Sequence, residues 1–268
     1  MYREHWGLKE LPFENVPDPR FFYPSPEHQE ALMRLFYAVN NRKGAAMLTG
    51  EVGCGKTILS RTLVQDLSGD RYEIGLIANP SLPPLDFLRE ILYQLGVESH
   101  SISKLDLLHA LNDVVVKNLN AGKDTVIMID EAQAIDDEAT LEELRLLLNF
   151  QLNERFLLTL ILIGQPELRE KVGRIRQLEQ RIAIKYHLGP LSPEETRKYV
   201  LYRLEKAGLQ KDIVLPDAFS LIHSMTHGIP RDVNNLCDLS LLLGFGSRAQ
   251  EIDAQLIQKA AAAIRQPS

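Results

Sequence analysis

The stretch GEVGCGKT at residues 50–57 follows an apolar run at residues 45–48 and precedes a helical pattern. Its spacing, Gly-x-x-x-x-Gly-Lys-Thr, matches the P-loop pattern, which requires a strand before it and a helix after it. Glycines let backbone N–H groups approach phosphate oxygens, and the helix N-terminus adds partial positive charge. The predicted phosphate-binding residues are Gly50, Glu51, Val52, Gly53, Cys54, Gly55, Lys56, Thr57 and Ile58.

Two further segments complete the predicted chemistry. Lys56 is expected to reach the β- and γ-phosphates, and the Thr57 hydroxyl to coordinate Mg²⁺. The sequence VIMIDE at residues 126–131 ends a strand in two carboxylates. Asp130 is predicted to belong to the shell of the metal, and Glu131 to polarise a water for attack on the γ-phosphate. Such a pair favours hydrolysis, and no Asn-Lys-x-Asp element of guanine specificity occurs, so ATP is the predicted nucleotide.

Short apolar runs alternate with longer helical patterns over the first two-thirds of the chain. Near-continuous apolarity is typical of strands buried on both faces of a parallel sheet. We therefore expect an α/β fold, a doubly wound parallel five-stranded sheet. The predicted strands are residues 45–49, 72–79, 125–130, 156–164 and 182–188, and the helical patterns are residues 56–68, 84–95, 104–120 and 138–153.

Strand patterns stop after about residue 190. Ser192-Pro193-Glu194-Glu195 has the features of a helix start with a capping box. Helical patterns follow at residues 193–207, 216–227, 231–243 and 252–265. The sequence therefore predicts an α/β nucleotide-binding domain over residues 1–190 and a small all-helical lid domain over residues 191–268.

Composition and charge argue against several classes of protein, although they leave open a local basic face for nucleic acid. The net charge of -6 gives no overall reason to expect a nucleic-acid binder. Two isolated cysteines do not form a disulfide framework, so a reducing cytoplasm is the default location. No run reaches the roughly 18 apolar residues of a membrane span, and the charged N-terminus differs from a signal peptide.

The chain resembles the AAA+ ATPases of the general secretion pathway protein A group (the ExeA/GspA type). The most specific blocks are the N-terminal WGLKELPFENVPDPRFFYPSPEHQEAL and GQPEL within LIGQPEL at residues 162–168, and QRIAIKYHLGPLS at residues 180–192 also contributes. LTGEVGCGKT, NPSL and IDEAQ match as well, although the P-loop is shared by many unrelated proteins.

The resemblance implies roles for several polar residues. Gln165 ends a strand where these ATPases keep a sensor of the γ-phosphate, although a polar strand end is another interpretation. Arg181 stands where the family places an arginine finger that reaches the ATP of a neighbouring subunit. Arg174 and Arg176 lie nearby, so the choice among the three stays open. Arg231, in GIPRD, matches the Gly-x-Pro-Arg sensor of the lid.

Two further assignments have equal alternatives. Asn79 ends a strand and either holds Glu131 in an idle orientation or caps the chain before Pro80. The resemblance places residues 1–44 near the adenine. There the apolar side chains either form a base pocket or pack the segment onto the sheet; they are Phe13, Pro17, Phe21 and Phe22.

The expected function is that of an AAA+ ATPase that couples ATP binding and hydrolysis to assembly of a bacterial envelope machine, such as a type II secretion or pilus system. We expect a nucleotide-dependent homo-oligomer and a protein partner in a membrane-associated complex. The expected location is the cytoplasm, including the periphery of the inner membrane. Secretion relatives continue into a membrane segment and a periplasmic domain, so this chain is either a cytosolic fragment or a short form. The alternative function is a DNA-loaded ATPase regulator of the transposition-targeting type, which the acidic charge disfavours.

Overall fold

A computed structural model describes residues 2–67, 69–152 and 155–265. The chain forms two compact units. The sheet unit comprises residues 29–52 and 59–188. The helical unit comprises the chain up to His28, Gly53–Ile58 and the chain from Gly189 onward. Residues 2–28, which the sequence analysis grouped with residues 29–190, thus pack with the helical unit.

The described residues form seven strands and twelve α-helices. The strands are β1 (Ala45–Gly50), β2 (Tyr72–Ile77), β3 (Asp124–Ile129), β4 (Gln151–Leu152), β5 (Arg155–Phe156), β6 (Leu158–Gly164) and β7 (Ile182–Leu188). The helices are α1 (Tyr2–Trp6), α2 (Pro26–Asn40), α3 (Lys56–Asp66), α4 (Pro84–Gln94), α5 (Lys104–Asn120), α6 (Glu138–Leu147), α7 (Glu167–Arg174), α8 (Arg176–Glu179), α9 (Pro193–Lys206), α10 (Pro216–Thr226), α11 (Pro230–Ser247) and α12 (Ala254–Arg265).

The sheet unit is built on a five-stranded parallel sheet with the strand order β2-β3-β6-β1-β7. Every residue of β1, β3 and β6 is buried, which explains why their sequences are apolar without alternation. All five strands that the sequence predicts are present, and the α/β fold class is confirmed. Because the strands are parallel, the chain leaves β3, β6 and β1 at the same edge of the sheet.

One predicted helix is too long. The pattern at residues 138–153 predicted a helix to residue 153, but α6 ends at Leu147. Gln151 instead begins β4, which pairs antiparallel with β5, and residue 153 lies outside the described residues. The apolar spacing continues past the helix because Leu148, which follows the last helical residue, is fully buried. Leu152 has the same spacing in sequence but is 51% exposed in β4. The 15-residue helix α2 and the shorter helices α1, α7 and α8 were not predicted.

The helical unit has its own core, formed by α9 to α12. The predicted capping box is confirmed: the Glu195 N–H donates to Ser192 Oγ, and the Ser192 N–H donates to a Glu195 carboxylate oxygen. Helix α11 runs four residues beyond its predicted end and includes Gly244. A Cβ there would lie 2.7 Å from Trp6 Cζ2, so this glycine permits close packing and does not end the helix.

The N-terminal segment is held in the helical unit by apolar and polar contacts. Trp6 and Phe13 are buried in the same core as α9 to α12, and Trp6 Nε1 donates to the Leu241 carbonyl oxygen at 2.9 Å. The Arg203 guanidinium donates to the carbonyl oxygens of Pro12 and Glu14 at 2.6 and 2.9 Å. These contacts explain why the segment belongs to this unit.

Across the described ranges, we find no helix with the length and hydropathy needed to traverse a lipid bilayer.

Candidate nucleotide-binding site

The loop after β1 has the backbone that its glycines were predicted to allow. A Cβ on Gly50, the last residue of β1, would lie 2.6 Å from the Leu188 carbonyl oxygen of the neighbouring strand. Gly53 and Gly55 have φ values of +85° and +96°, which side-chain-bearing residues rarely adopt. Lys56 is the first residue of α3 and only 5% exposed. A cation is disfavoured at a helix N-terminus, and a bound polyanion would offset that cost.

His28 supports this loop inside the helical unit, a role that the sequence did not reveal. Its Nε2 lies 3.1 Å from the Cys54 carbonyl oxygen, and its Nδ1 lies 2.7 Å from Ser25 Oγ. A carbonyl only accepts, so Nε2 carries the proton and the Ser25 hydroxyl donates to Nδ1. Burial lowers the pKa of His28 from 6.5 to about 4. The imidazole is therefore neutral at pH 7 and fixed in one tautomer.

Arg231 lies against the same loop. Its backbone N–H donates to the Gly53 carbonyl oxygen at 3.2 Å. A Cβ on Gly53 would lie 2.8 Å from the Arg231 Cβ and 2.9 Å from Ile229 Cγ2, so only glycine fits between the loop and the start of α11. The Arg231 side chain is exposed. The structure therefore places the GIPRD segment beside the loop residues 53–58 within one unit.

The acidic pair follows β3 at the edge of the sheet. The Asp130 N–H donates to the Ile77 carbonyl oxygen at 2.9 Å, and Asp130 is only 6% exposed. Glu131 has a φ of 50°, in the left-handed region, and its N–H donates to Asp130 Oδ1 at 2.9 Å. A left-handed backbone at a residue with a side chain carries strain, which often occurs at functional positions.

Gln133 connects the acidic pair to the strand beside it, which the sequence analysis missed. Its Nε2 donates to a Glu131 carboxylate oxygen at 2.6 Å, and its Oε1 accepts from the Gln165 N–H at 2.9 Å. A Cβ on Gly164 would lie 2.6 Å from that Oε1, so glycine at the end of β6 makes room for the bridge. Asn79, for which the sequence left open a contact with Glu131 or a cap before Pro80, is exposed.

Lys171 on α7 fastens the same loop from the other side. Its Nζ donates to the carbonyl oxygens of Gln133 and Ile135 at 2.6 and 3.0 Å and to an Asp136 carboxylate oxygen at 2.6 Å. Hydrogen bonds from a charged donor are stronger than neutral ones. The loop after β3 is thus tied to both the end of β6 and the helix that follows it.

The three candidate finger arginines lie in two different places in the sheet unit. Arg181 is partly buried, and its Nη1 donates to Asn149 Oδ1 at 2.7 Å. Arg174 and Arg176 are found lining a cleft with Arg145. The structure brings Arg174 and Arg176 together in that cleft, and Arg181 is held by a separate contact.

The residues present fit ATP and Mg²⁺. A buried ammonium, glycine-shaped backbone and a helix N-terminus provide donors and positive charge of the kind that a polyphosphate requires. The hydroxyl oxygen of Thr57 and the carboxylate of Asp130 are hard oxygen ligands, which Mg²⁺ prefers.

Comparison with known proteins identifies the family. The family model of the AAA domain matches residues 39–172, which is half of the chain. The chain belongs to the AAA domain family. It is similar to general secretion pathway protein A of Aeromonas hydrophila, with 42% identity over 256 residues. That match covers 94% of this chain and 46% of the relative, so the chain spans about half the length of that protein. The resemblance noted from the sequence is thereby confirmed.

Solved structures support the fold. The ORC2 protein of Aeropyrum pernix aligns with a TM-score of 0.72 at 18% identity, covering 96% of this chain and 72% of that one. A chain of Drosophila ORC bound to DNA aligns with a TM-score of 0.72 at 16% identity, covering 99% and 65%. The RuvB Holliday junction branch migration motor of Thermotoga maritima aligns with a TM-score of 0.60 at 19% identity, covering 88% of this chain and 69% of that one. At these identities the likeness concerns the fold alone.

Proposed function

We propose that this chain is an AAA+ ATPase that binds and hydrolyses ATP and thereby regulates assembly of a membrane-associated secretion complex. The observation that carries the proposal is the contact between Gly53 of the phosphate-binding loop and Arg231 at the start of α11. A cationic side chain is thereby presented beside the residues that would hold the phosphates.

The roles in binding follow from the chemistry of each group. Backbone N–H groups of the loop and the Lys56 ammonium would hold the phosphates. Thr57 and Asp130 would hold Mg²⁺, which neutralises charge on the phosphate oxygens. Arg231 would contact the γ-phosphate, so that the nucleotide state alters the position of the lid.

The hydrolysis step would depend on residues that follow the carboxyl ends of the sheet strands. Glu131 orients a water and accepts its proton as that water attacks the γ-phosphate. Gln165 contacts the γ-phosphate or the water through an amide that both donates and accepts. Arg181 supplies a cation to the site of a neighbouring subunit, a contribution of about 10³–10⁵ in rate where such fingers act. A nucleotide-dependent homo-oligomer follows from that arrangement.

The secretion complex enters the proposal through the relative. The similar protein is called general secretion pathway protein A, and the match extends over nearly the whole of this chain. A protein partner at the cytoplasmic face of the inner membrane is the corresponding proposal for this chain.

Nucleotide titration tests binding. The native chain and Lys56→Ala are titrated with a fluorescent ATP analogue in the presence of Mg²⁺, and Lys211→Ala, at an exposed lysine of the same unit, is the matched control. We expect native affinity in the control and a loss of about 100-fold or more in Lys56→Ala, from removal of a buried charge-assisted contact. Equal affinity of Lys56→Ala and the native chain would contradict the proposal.

Light scattering tests assembly and the alternative partner. Glu131→Gln is expected to retain ATP, so its mass is measured with ATP and Mg²⁺, with and without duplex DNA, at about 150 mM salt, where weak electrostatic binding is suppressed. Assembly with ATP alone supports the proposed ATPase. Assembly that requires DNA would replace it with a DNA-loaded regulator.

A further inference from the structure

We infer that Gln133 is a positioning residue that orients the Glu131 carboxylate for hydrolysis and couples it to Gln165. The inference rests on the proposed function. It concerns a residue outside the predicted site, in the segment between the acidic pair and α6.

The hydrogen bonds fix the Gln133 amide in one orientation. The Gln165 N–H only donates, so it must face Oε1, and a carboxylate at neutral pH only accepts, so it must face Nε2. Reversing the amide would place its N–H donor against the Gln165 N–H and its oxygen against the Glu131 carboxylate, so neither hydrogen bond could form. The side chain therefore holds a Glu131 oxygen at one end and the main chain after β6 at the other.

The base of that side chain is fixed as well. Lys171 Nζ donates to the Gln133 carbonyl oxygen at 2.6 Å, and Gly164 leaves the space that Oε1 occupies. With its main chain and its amide both bonded, Gln133 has few alternative rotamers, so a displacement at Gln165 moves the Glu131 carboxylate. The amide thus holds one Glu131 carboxylate oxygen, Oε2, in a fixed position.

Two substitutions separate the hydrogen bonds from the shape of the side chain. Gln133→Met keeps the length and removes both bonds. Gln133→Glu keeps an acceptor for the Gln165 N–H but turns a second carboxylate oxygen toward Glu131, which repels it. Gln177→Met is the matched control, because Gln177 is exposed in α8 of the same unit.

The experiment measures steady-state ATP hydrolysis by the native chain and by these variants. We expect kcat to fall about 10- to 100-fold in Gln133→Met and Gln133→Glu, the range that loss of a hydrogen bond to a charged group produces. The KM for ATP should stay within about twofold of the native value, because the bond orients the reacting group and does not hold the nucleotide. The control should retain both constants.

A second background distinguishes positioning from structural damage. In Glu131→Gln, single turnovers are measured with enzyme in excess, and adding Gln133→Met should leave the residual rate unchanged, because the residue acts through Glu131. Native kcat in either variant, a raised KM, or a further loss in the Glu131→Gln background would overturn the inference. Hydrolysis by the native chain would still support the proposed function in that case, whereas its absence would overturn both.

Discussion

Replacing His28 with glutamine should change how the stability of the helical unit depends on pH. His28 is buried against the loop after β1, and burial lowers its pKa from 6.5 to about 4. Glutamine retains an amide N–H that reaches the Cys54 carbonyl oxygen but does not titrate. The variant therefore removes the titration while keeping a donor to the loop.

The sign follows from proton linkage. Between about pH 4 and 6.5 the unfolded chain binds a proton that the folded chain excludes, so the free energy of unfolding falls as the pH falls through this window. Above pH 6.5 this proton-linked loss of stability is small, because His28 is mostly unprotonated in both the folded and the unfolded chain. At pH 5.0 the loss from this one group is about 2 kcal/mol, and it approaches about 3 kcal/mol near pH 4.

Denaturant unfolding followed by tryptophan fluorescence measures this effect. Trp6 is the single tryptophan and is buried in the core of the unit that holds His28, so its emission reports unfolding of that unit. The free energy of unfolding is measured at pH 7.5 and pH 5.0. We expect the native chain to lose about 2 kcal/mol more than His28→Gln over this interval.

The exposed His109 provides the control. His109→Gln should lose as much stability as the native chain between the two pH values. An equal loss in His28→Gln and the native chain would refute the reasoning, because it would mean that His28 does not exclude a proton in the folded state.

Three further predictions concern packing and buried groups. Gly228→Ala should destabilise the helical unit by about 3 kcal/mol or more, because φ is +74° and a Cβ would lie 1.9 Å from the Leu191 carbonyl oxygen. Gly246→Ala, in an open helical position, should stabilise the unit by about 0.5 kcal/mol. Thermal unfolding of the two variants and the native chain measures both effects. Lys104→Met should lower the free energy of unfolding, measured with denaturant, by about 2 kcal/mol, because it removes the cation that pairs with the buried Glu143 carboxylate, whose side chain is 5% exposed. Replacing Glu143 by methionine as well should restore most of that stability. Both cysteines are buried, so a thiol reagent should label neither in the native chain and both in guanidinium chloride; rapid native labelling would contradict the packing of the loop and of α11.

Much of the fold was predictable from the sequence because the apolar signal was strong. β1, β3 and β6 are buried at every residue, so their apolar runs identified them directly. The end of α6 was not predictable, because Leu148 continues the apolar spacing into a turn that is equally buried. Periodicity reports which residues are buried and does not report where the helical hydrogen bonds stop.

The candidate site divides in the same way. The P-loop motif after β1 and the acidic pair after β3 are contiguous in sequence, so their positions were predictable. His28 and Gln133 make contacts that exist only after folding, with Cys54 and with Glu131 respectively. A histidine three residues after a serine and a glutamine two residues after a glutamate carry no distinctive pattern. Their roles depend on which surfaces meet, which no short motif encodes.

The most direct test of the account measures phosphate release and ATP binding by the native chain and by Glu131→Gln. We expect the native chain to release phosphate with ATP and Mg²⁺, and Glu131→Gln to lose about 10²–10⁴ in rate, the contribution of a positioned general base. The dissociation constant for ATP should remain within about twofold of the native value. Native turnover in Glu131→Gln, or no phosphate release by the native chain, would contradict the claim that this chain is an ATPase with Glu131 as its base.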